Sequence, residues 1–223
     1  MMLSHRQAFM QTFKFLRSNT KNQFLTGLTL ITLSLSPLAV SAKTIMILGD
    51  SISAGYGVDP NHAWVKLLQQ RLDQHYPKQH KVVNASVSGE TTSGALARLP
   101  KLLQTYKPDI VVVELGGNDA LRGQPPQMIQ KNLATLVQQS QKAKANVILF
   151  GMKIPPNYGK AYSTAFENNY RVVSQQYRVK LLPFFMQGIA GNRHLMQQDQ
   201  IHPNNDAQKL LLDNAYPYIQ KAL

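Results

Sequence analysis

One serine and one aspartate–histidine pair stand at positions suited to nucleophilic chemistry. Ser51 lies in the segment GDSISAGYG, residues 49–57, directly after an apolar run. A hydroxyl on a strand-to-helix turn is presented at the edge of a sheet, beside the unpaired backbone N–H groups of the helix start. Near the other end of the chain, Asp199 and His202 are three residues apart in DQIHPN. An aspartate that accepts from one imidazole nitrogen leaves the other nitrogen free to take a serine proton.

Each of these residues also has a structural interpretation. Ser51 could be only a helix N-cap, which is a common role of serine. Asp199 and His202 could be a solvated loop residue and a residue at the start of a helix. A phosphate-binding turn is not favoured, because the pattern G-x-G-x-x-G is absent after the strand. A metal site is weakly supported, because one aspartate and one histidine give too few ligands.

Two further residues could stabilise a developing negative charge. Gly89 lies in NASVSGETTSG and allows close backbone approach, so that its amide could donate to an oxyanion. Asn118 lies in LGGND and offers a side-chain N–H. Taken singly, each is an ordinary turn residue. Together with Ser51, Asp199 and His202, they supply a nucleophile, a base, an orienting acid and oxyanion donors, which favours hydrolysis of acyl bonds.

The elements that must position these residues alternate between short apolar runs and amphipathic stretches. Strands are predicted over 44–48, 81–85, 109–115, 146–151 and 179–182. Helices are predicted over 62–76, 93–106, 126–144, 162–177 and 205–222. Near-continuous apolar strands such as IVVVEL indicate a three-layer α/β/α domain with a five-stranded, mainly parallel sheet. Ligands bind beyond the carboxyl ends of such strands, which is where Ser51, Gly89 and Asn118 fall.

The first 42 residues are predicted to be a cleaved signal peptide. A basic stretch precedes an uncharged apolar run over 24–40, and the small residues Ser41 and Ala42 stand before Lys43. An uncleaved membrane anchor is the alternative, disfavoured because Thr, Ser and Pro37 interrupt a run that falls short of ~20 strongly apolar residues. We therefore expect residues 43–223 to form one hydrolase domain that is periplasmic or secreted.

The charge balance is strongly basic, with a formal net charge of +13. The Lys and Arg residues after position 42 are scattered along the sequence, and no binding motif accompanies them, so nucleic-acid binding is not expected. The excess charge indicates solubility and transient contact with membrane surfaces. The chain has no cysteine, which excludes disulfides, thiolate metal sites and a cysteine nucleophile.

These motifs resemble those of the SGNH, or GDSL, hydrolase family. Its four blocks match residues 49–51, Gly89, residues 116–119 and residues 199–202. The segments VVELGGNDALRG, KIPPNYG, LLPFFM and MQQDQIHPN are similar to the periplasmic branch of multifunctional acyl thioesterases, lysophospholipases and arylesterases. The resemblance implies a flavodoxin-like strand order. The α/β-hydrolase fold is not favoured, because Ser53 replaces the second glycine of its G-x-S-x-G elbow.

The resemblance also implies a role for each motif residue. Ser51 is the expected nucleophile, His202 the general base and Asp199 its orienting partner. The expected oxyanion donors are the amides of Ser51 and Gly89 and the side chain of Asn118. The implied reaction is hydrolysis of acyl esters, thioesters or lysophospholipids through an acyl-enzyme, and it needs neither a metal nor an organic cofactor.

The expected substrate is a small acyl ester or thioester, bound by a monomer. Apolar residues after the predicted strands are expected to border the acyl group: Leu121, Ile154, Pro155 and Tyr158. Each could instead only pack its loop, and Arg122 could contact a headgroup or form a surface ion pair. Two alternatives are a carbohydrate O-deacetylase on the same fold and a catalytically silent module that binds lipid or glycan.

Overall fold

A five-stranded parallel sheet forms the centre of the computed structural model, which describes residues 42–223. The predicted signal peptide therefore lies outside the described residues, apart from Ala42. The strands are β1 (Lys43–Gly49), β2 (His80–Asn84), β3 (Ile110–Glu114), β4 (Asn146–Phe150) and β5 (Lys180–Leu182). Their order, β2-β1-β3-β4-β5, is the flavodoxin-like order. The predicted three-layer α/β/α fold is confirmed.

Helices connect the strands and cover both faces of the sheet. They are α1 (Ser51–Ala54), α2 (Trp64–His75), α3 (Thr92–Tyr106), α4 (Gly117–Leu121), α5 (Pro126–Lys142), α6 (Lys160–Tyr177) and α7 (Gln208–Gln220). Two 3₁₀ turns, Pro156–Tyr158 and Asn205–Ala207, complete the regular structure of residues 42–223. Within that range no helix is long and apolar enough to span a membrane.

The core lies between the central strands and the apolar stripes of the helices. All five residues of β3 are buried, and so are the last five of β1. Burial on both sides explains the continuous apolar runs, since each strand face is covered by helices. Trp64 of α2 and Phe166 of α6 are among the largest fully buried side chains.

Two of the α-helices were not predicted from the sequence. Both α1 and α4 follow a strand directly and have only 4 and 5 residues, too few to show a helical period. The closing helix, predicted over 205–222, is an α-helix only from Gln208 onward. Its first residues form a 3₁₀ turn, because the Asn204 side chain accepts from the amides of Asp206 and Ala207.

The parallel register brings the short helices to one edge of the sheet. Gly49, the last residue of β1, pairs with Glu114, the last residue of β3. Consequently α1 and α4 start at the same level, side by side at the carboxyl edge. Ser51 and Asn118 are thus placed near each other by strand register rather than by their separation in sequence.

Candidate active site

The turn that carries Ser51 is closely packed and capped. Asp50 is the N-cap of α1, and its Oδ1 accepts from the Ile52 amide at 3.0 Å. A side chain cannot replace the hydrogen of Gly49, since a Cβ there would lie 2.7 Å from Glu114 Oε2 and 2.8 Å from Ser53 Cβ. Ser51 itself is only 8% exposed. The hydroxyl is therefore held on a rigid turn, a position that suits a nucleophile.

The loop before α7 brings His202 to that hydroxyl. His202 Nε2 lies 2.8 Å from Ser51 Oγ, and His202 Nδ1 lies 2.6 Å from Asp199 Oδ2. The other carboxylate oxygen of Asp199 accepts from the amides of Ile201 and His202. Tyr56 packs against the imidazole with ring centroids 4.7 Å apart. Both ring nitrogens of the histidine are thus engaged, one toward an acid and one toward a hydroxyl.

The charge of Asp199 is secured by its hydrogen bonds. Partial burial works to raise its pKa, but the amide and ring of His202 and the amide of Ile201 outweigh burial and lower the pKa to about 2. The carboxylate therefore stays ionised at neutral pH, as a partner that orients an imidazole requires.

Asn118 is oriented by the residue that caps the serine turn. Its Nδ2 donates to Asp50 Oδ2 at 3.2 Å. An amide nitrogen has two hydrogens, so one remains for a ligand. Burial raises the pKa of Asp50 to about 6, although its hydrogen bond from Ile52 and the nearby His202 oppose the rise. Asp50 thus joins α1 and α4 on the side where Ser51 lies.

Gly89 lies in the loop after β2, which is tied to the serine turn through the backbone. The amide of Val87 donates to the carbonyl of Gly49 at 3.1 Å. Gly89 has φ 75°, a conformation that favours glycine, and its carbonyl accepts from Arg122 Nη2 at 3.2 Å. Arg122 is therefore a bridge from α4 to this loop, and among the described residues it forms no ion pair.

A fully buried acid beneath the serine turn was missed by the sequence reasoning. Glu114 Oε2 accepts from Ser53 Oγ at 2.7 Å and from the Asp50 amide at 3.4 Å. Burial, and then the nearby Asp50, raise the pKa of Glu114 well above its usual range. The signal was present in the sequence, since a single acid interrupts the apolar run IVVVEL.

A second buried acid fixes α4 against α3. Asp119 accepts from both the amide and the hydroxyl of Thr92, at 2.9 and 2.6 Å. The Thr92 hydroxyl in turn accepts from Asn132 of α5. These bonds hold the helix that carries Asn118 to the helical layer beside it.

An apolar cavity of about 600 Å³ opens beside Ser51 and His202. Predicted residues on its wall are Leu121, Ile154 and Pro155. Tyr158 and Gly89 are not among the lining residues, and the Tyr158 hydroxyl donates to the carbonyl of Leu121. Apolar lining residues that the sequence reasoning did not name are Ile52, Phe184, Met186, Met196 and Ile201. Ile52 lies in α1 and the other four lie between residues 184 and 201, where no helical or strand periodicity marks them as lining residues.

The site is built without a recognisable metal centre in the described part of the chain. Across residues 42–223 no three His, Asp or Glu side chains gather in a way that could hold a metal ion. Serine, histidine and aspartate in a hydrogen-bonded series, beside an apolar cavity on a three-layer α/β/α fold, are instead the arrangement of a serine hydrolase.

Comparison with known proteins agrees with this class. The chain belongs to the GDSL-like lipase/acylhydrolase family, whose sequence model matches residues 47–210. The predicted family resemblance is confirmed, and with it the assignment of the chain as a carboxylic ester hydrolase.

Relatives of known activity cover nearly all of the described residues. Esterase TesA of Pseudomonas aeruginosa is 48% identical over 82% of this chain and 90% of its own length. Thioesterase 1/protease 1/lysophospholipase L1 of Escherichia coli K12 is 43% identical over 78% of this chain and 82% of its own. The crystal structure of esterase EstA from Pseudoalteromonas sp., inhibited by monoethylphosphonate, superposes with a TM-score of 0.77 at 47% identity, covering 80% of this chain and 97% of that one.

Proposed function

We propose that the protein hydrolyses ester and thioester bonds of acyl groups, with Ser51 as nucleophile, His202 as general base and Asp199 as its orienting acid. The observation that carries the proposal is the hydrogen-bonded series from Asp199 through His202 to Ser51, with distances of 2.6 and 2.8 Å. The names of the relatives, which include an esterase, a thioesterase and a lysophospholipase, support the same reaction.

The reaction proceeds in two halves. Ser51 Oγ attacks the acyl carbon while His202 Nε2 takes its proton, and the resulting oxyanion receives hydrogen bonds. His202 then gives the proton to the departing alcohol or thiol, which leaves an acyl-enzyme. Water, deprotonated by His202, attacks the acyl-enzyme and releases the acid and Ser51.

The oxyanion donors in this proposal are the amides of Ser51 and Gly89 and the side chain of Asn118. The Ser51 amide belongs to the first turn of α1, where backbone N–H groups have no partner within the helix. Asn118 has one amide hydrogen left after its bond to Asp50. Asp50 acts as a positioning residue, since it fixes the direction in which the Asn118 amide points.

The acyl group occupies the cavity next to the triad. Its volume of about 600 Å³ lies within the range of sites that bury ligands of drug size, and its wall is mostly apolar. Leu121, Ile154 and Pro155 bind the acyl chain, and Tyr158 supports that wall through its bond to the Leu121 carbonyl. Medium or long acyl groups are therefore favoured over acetyl.

We also infer that the chain is exported to the periplasm or secreted and that residues 1–42 are removed. The support is the sequence, in which a basic stretch, an apolar run and small residues precede Lys43. The exported enzyme is expected to act as a monomer. Determination of the N-terminal residue of the protein recovered from cells tests the cleavage. An N-terminus well upstream of Lys43 contradicts it.

Hydrolysis of p-nitrophenyl esters from acetate to palmitate tests the function, with Ser51→Ala as the inactive variant. Ser53→Ala is a matched control, because it removes a neighbouring hydroxyl that donates to Glu114 rather than to His202. We expect a rate that depends on Ser51 and peaks beyond acetate. A rate that falls steeply beyond acetate identifies a deacetylase instead, and a rate unaffected by Ser51→Ala overturns the assignment of the nucleophile.

A further inference from the structure

A basic residue stands just before each of the strands β2 to β5. These residues are Lys78, Lys107, Lys144 and Arg178, and all four are exposed. Each has a positive φ, of 57°, 42°, 66° and 53° respectively. Such positions at helix ends usually hold glycine or asparagine, because a Cβ is disfavoured there. Backbone geometry alone therefore does not explain why basic side chains occupy them.

The parallel sheet gathers these residues at one edge. All the strands start at the amino edge, opposite the edge where Ser51 lies, and five neighbouring strands span roughly 20 Å. We name the exposed Lys and Arg residues that follow the helix ends there the basic edge, consisting of Lys78, Lys81, Lys107, Lys144, Arg178 and Lys221.

The charge of the basic edge is not neutralised within the described part of the chain. None of its six side chains forms an ion pair with another of residues 42–223. Lys43 and Lys180 add two further cations, whose Nζ atoms donate to carbonyls near the C-terminus. The acids in the segments that lead into the strands at this edge are Asp73 and Asp109. Asp109 Oδ2 already accepts from the Thr44 amide.

Most of the excess charge of the folded domain is therefore at this edge. Four of the chain's 24 Lys and Arg precede Lys43, so 20 remain against 11 Asp and Glu. Nine of those 20, with Lys142 at the last position of α5 included, but only two of the 11, lie at the amino edge. Helix dipoles favour cations at helix C-termini, which accounts for single residues. The cationic side chains nevertheless remain exposed, so their positive potentials add in the solvent beside this edge.

We propose that the basic edge docks the protein on an anionic lipid surface, with Ser51 facing away from the bilayer. Lipid is favoured over nucleic acid because no nucleic-acid-binding motif accompanies these cations, and because the export inferred under Proposed function, on which this step rests, brings the protein next to membranes. Tyr106, beside Lys107, is 38% exposed and has the amphipathic ring that suits the headgroup region.

Binding of the purified protein to lipid vesicles tests the proposal. Vesicles with about 30% phosphatidylglycerol in phosphatidylcholine are compared with neutral ones, at low salt and at about 0.5 M salt. The test variant carries Lys107→Asn, Lys144→Asn and Arg178→Asn, since asparagine tolerates a positive φ. The matched control carries Lys66→Gln, Lys131→Gln and Lys160→Gln, which remove the same charge from the first halves of α2, α5 and α6.

We expect salt-sensitive binding to the anionic vesicles that the test variant weakens about a hundredfold and the control variant much less. Equal binding to neutral vesicles contradicts the proposal, because the charge of the basic edge is then not needed. Equal weakening in both variants contradicts it as well, since total charge then decides. Tighter binding to duplex DNA than to vesicles contradicts the proposal and assigns the edge to nucleic acid instead. Retained hydrolysis of a soluble ester shows that the variants are folded.

Discussion

At the scale of single residues, the geometry around Ser51 depends on hydrogen-bond donors and acids that are buried together. Asn118 contributes one N–H to Asp50 and keeps one for a ligand. Glu114 accepts from Ser53 and from the Asp50 amide. Each residue can be removed singly, and their roles predict different outcomes.

Removal of the Asn118 side chain should mainly affect turnover. We expect Asn118→Ala to lower kcat by about 10²- to 10³-fold, because an oxyanion donor acts on charge that develops in the transition state. Steady-state hydrolysis of a p-nitrophenyl ester measures this effect. Asn146→Ala is the matched control, since this exposed asparagine lies at the start of β4, at the opposite edge of the sheet, and the variant should keep most of its turnover. Wild-type turnover in Asn118→Ala rules out the assigned role.

Glu114 should tolerate replacement by a neutral side chain of the same shape, but not removal of the side chain. Its raised pKa favours the neutral acid, so Glu114→Gln should preserve the acceptor for Ser53 and leave kcat close to that of the wild type. Glu114→Ala leaves buried donors without a partner and a cavity below the serine turn, at a cost of about 2–5 kcal/mol. Urea unfolding and kcat, measured on both variants, distinguish them. Equal damage from glutamine and alanine indicates that a carboxylate is required.

At the scale of elements, the short helix α4 determines where Asn118 and Leu121 lie. It begins after Gly116, which has φ 109°. A Cβ at Gly116 would lie 2.6 Å from the Tyr170 hydroxyl, which itself donates to the carbonyl of Leu115. The start of the helix is therefore fixed by close packing against α6 as well as by its backbone conformation.

Substitution of Gly116 should consequently cost more than strain alone. Gly116→Ala combines an unfavourable φ with a steric conflict, and we expect a loss of about 3–5 kcal/mol of unfolding free energy together with lower kcat. Gly123→Ala is the matched control, with φ 72° but no atom within 4 Å of the added Cβ, and should cost about 1 kcal/mol. Denaturant unfolding compares the two. Equal losses in both variants show that the contact with Tyr170 is unimportant.

At the scale of the whole molecule, the buried acids make stability depend on pH. The pKa of Asp50 is raised from 3.8 to about 6, so its favourable contribution is complete below pH 3.8 and is lost as the pH rises through 6. The rise corresponds to about 3 kcal/mol. Asp199 behaves oppositely, since its lowered pKa gives stability that is lost as the pH falls toward 2.

Replacement of Asp50 should therefore stabilise the fold more at high pH than at low pH. We expect the unfolding free energy of Asp50→Asn, relative to the wild type, to increase by about 1–3 kcal/mol between pH 4 and 8. Turnover should fall, because Asn118 loses its acceptor. Asp59→Asn is the control: hydrogen bonds, first that from the Asn61 amide, lower the pKa of this exposed acid, so its difference from the wild type should change little between pH 4 and 8. A difference for Asp50→Asn that does not change with pH contradicts the buried-acid explanation.

The sequence by itself determined the fold class and the principal residues of the candidate site. Apolar runs separated by amphipathic stretches predicted all five strands to within one residue of their observed bounds. Ser51, Asn118, Asp199 and His202 could be found because each lies in a local motif directly after a strand or before the last helix. Residues with a local signature are visible in a linear pattern.

The tertiary structure alone decided what depends on residues from distant segments. The contact of Glu114 with the serine turn follows from the pairing of β1 with β3, and the acyl cavity takes its wall from loops spread over the chain. Lysines and arginines that are scattered along the sequence come together at the amino edge, since parallel strands bring the same end of every connection to one side. Register and strand order set these distances, and neither is encoded in the spacing of any single motif.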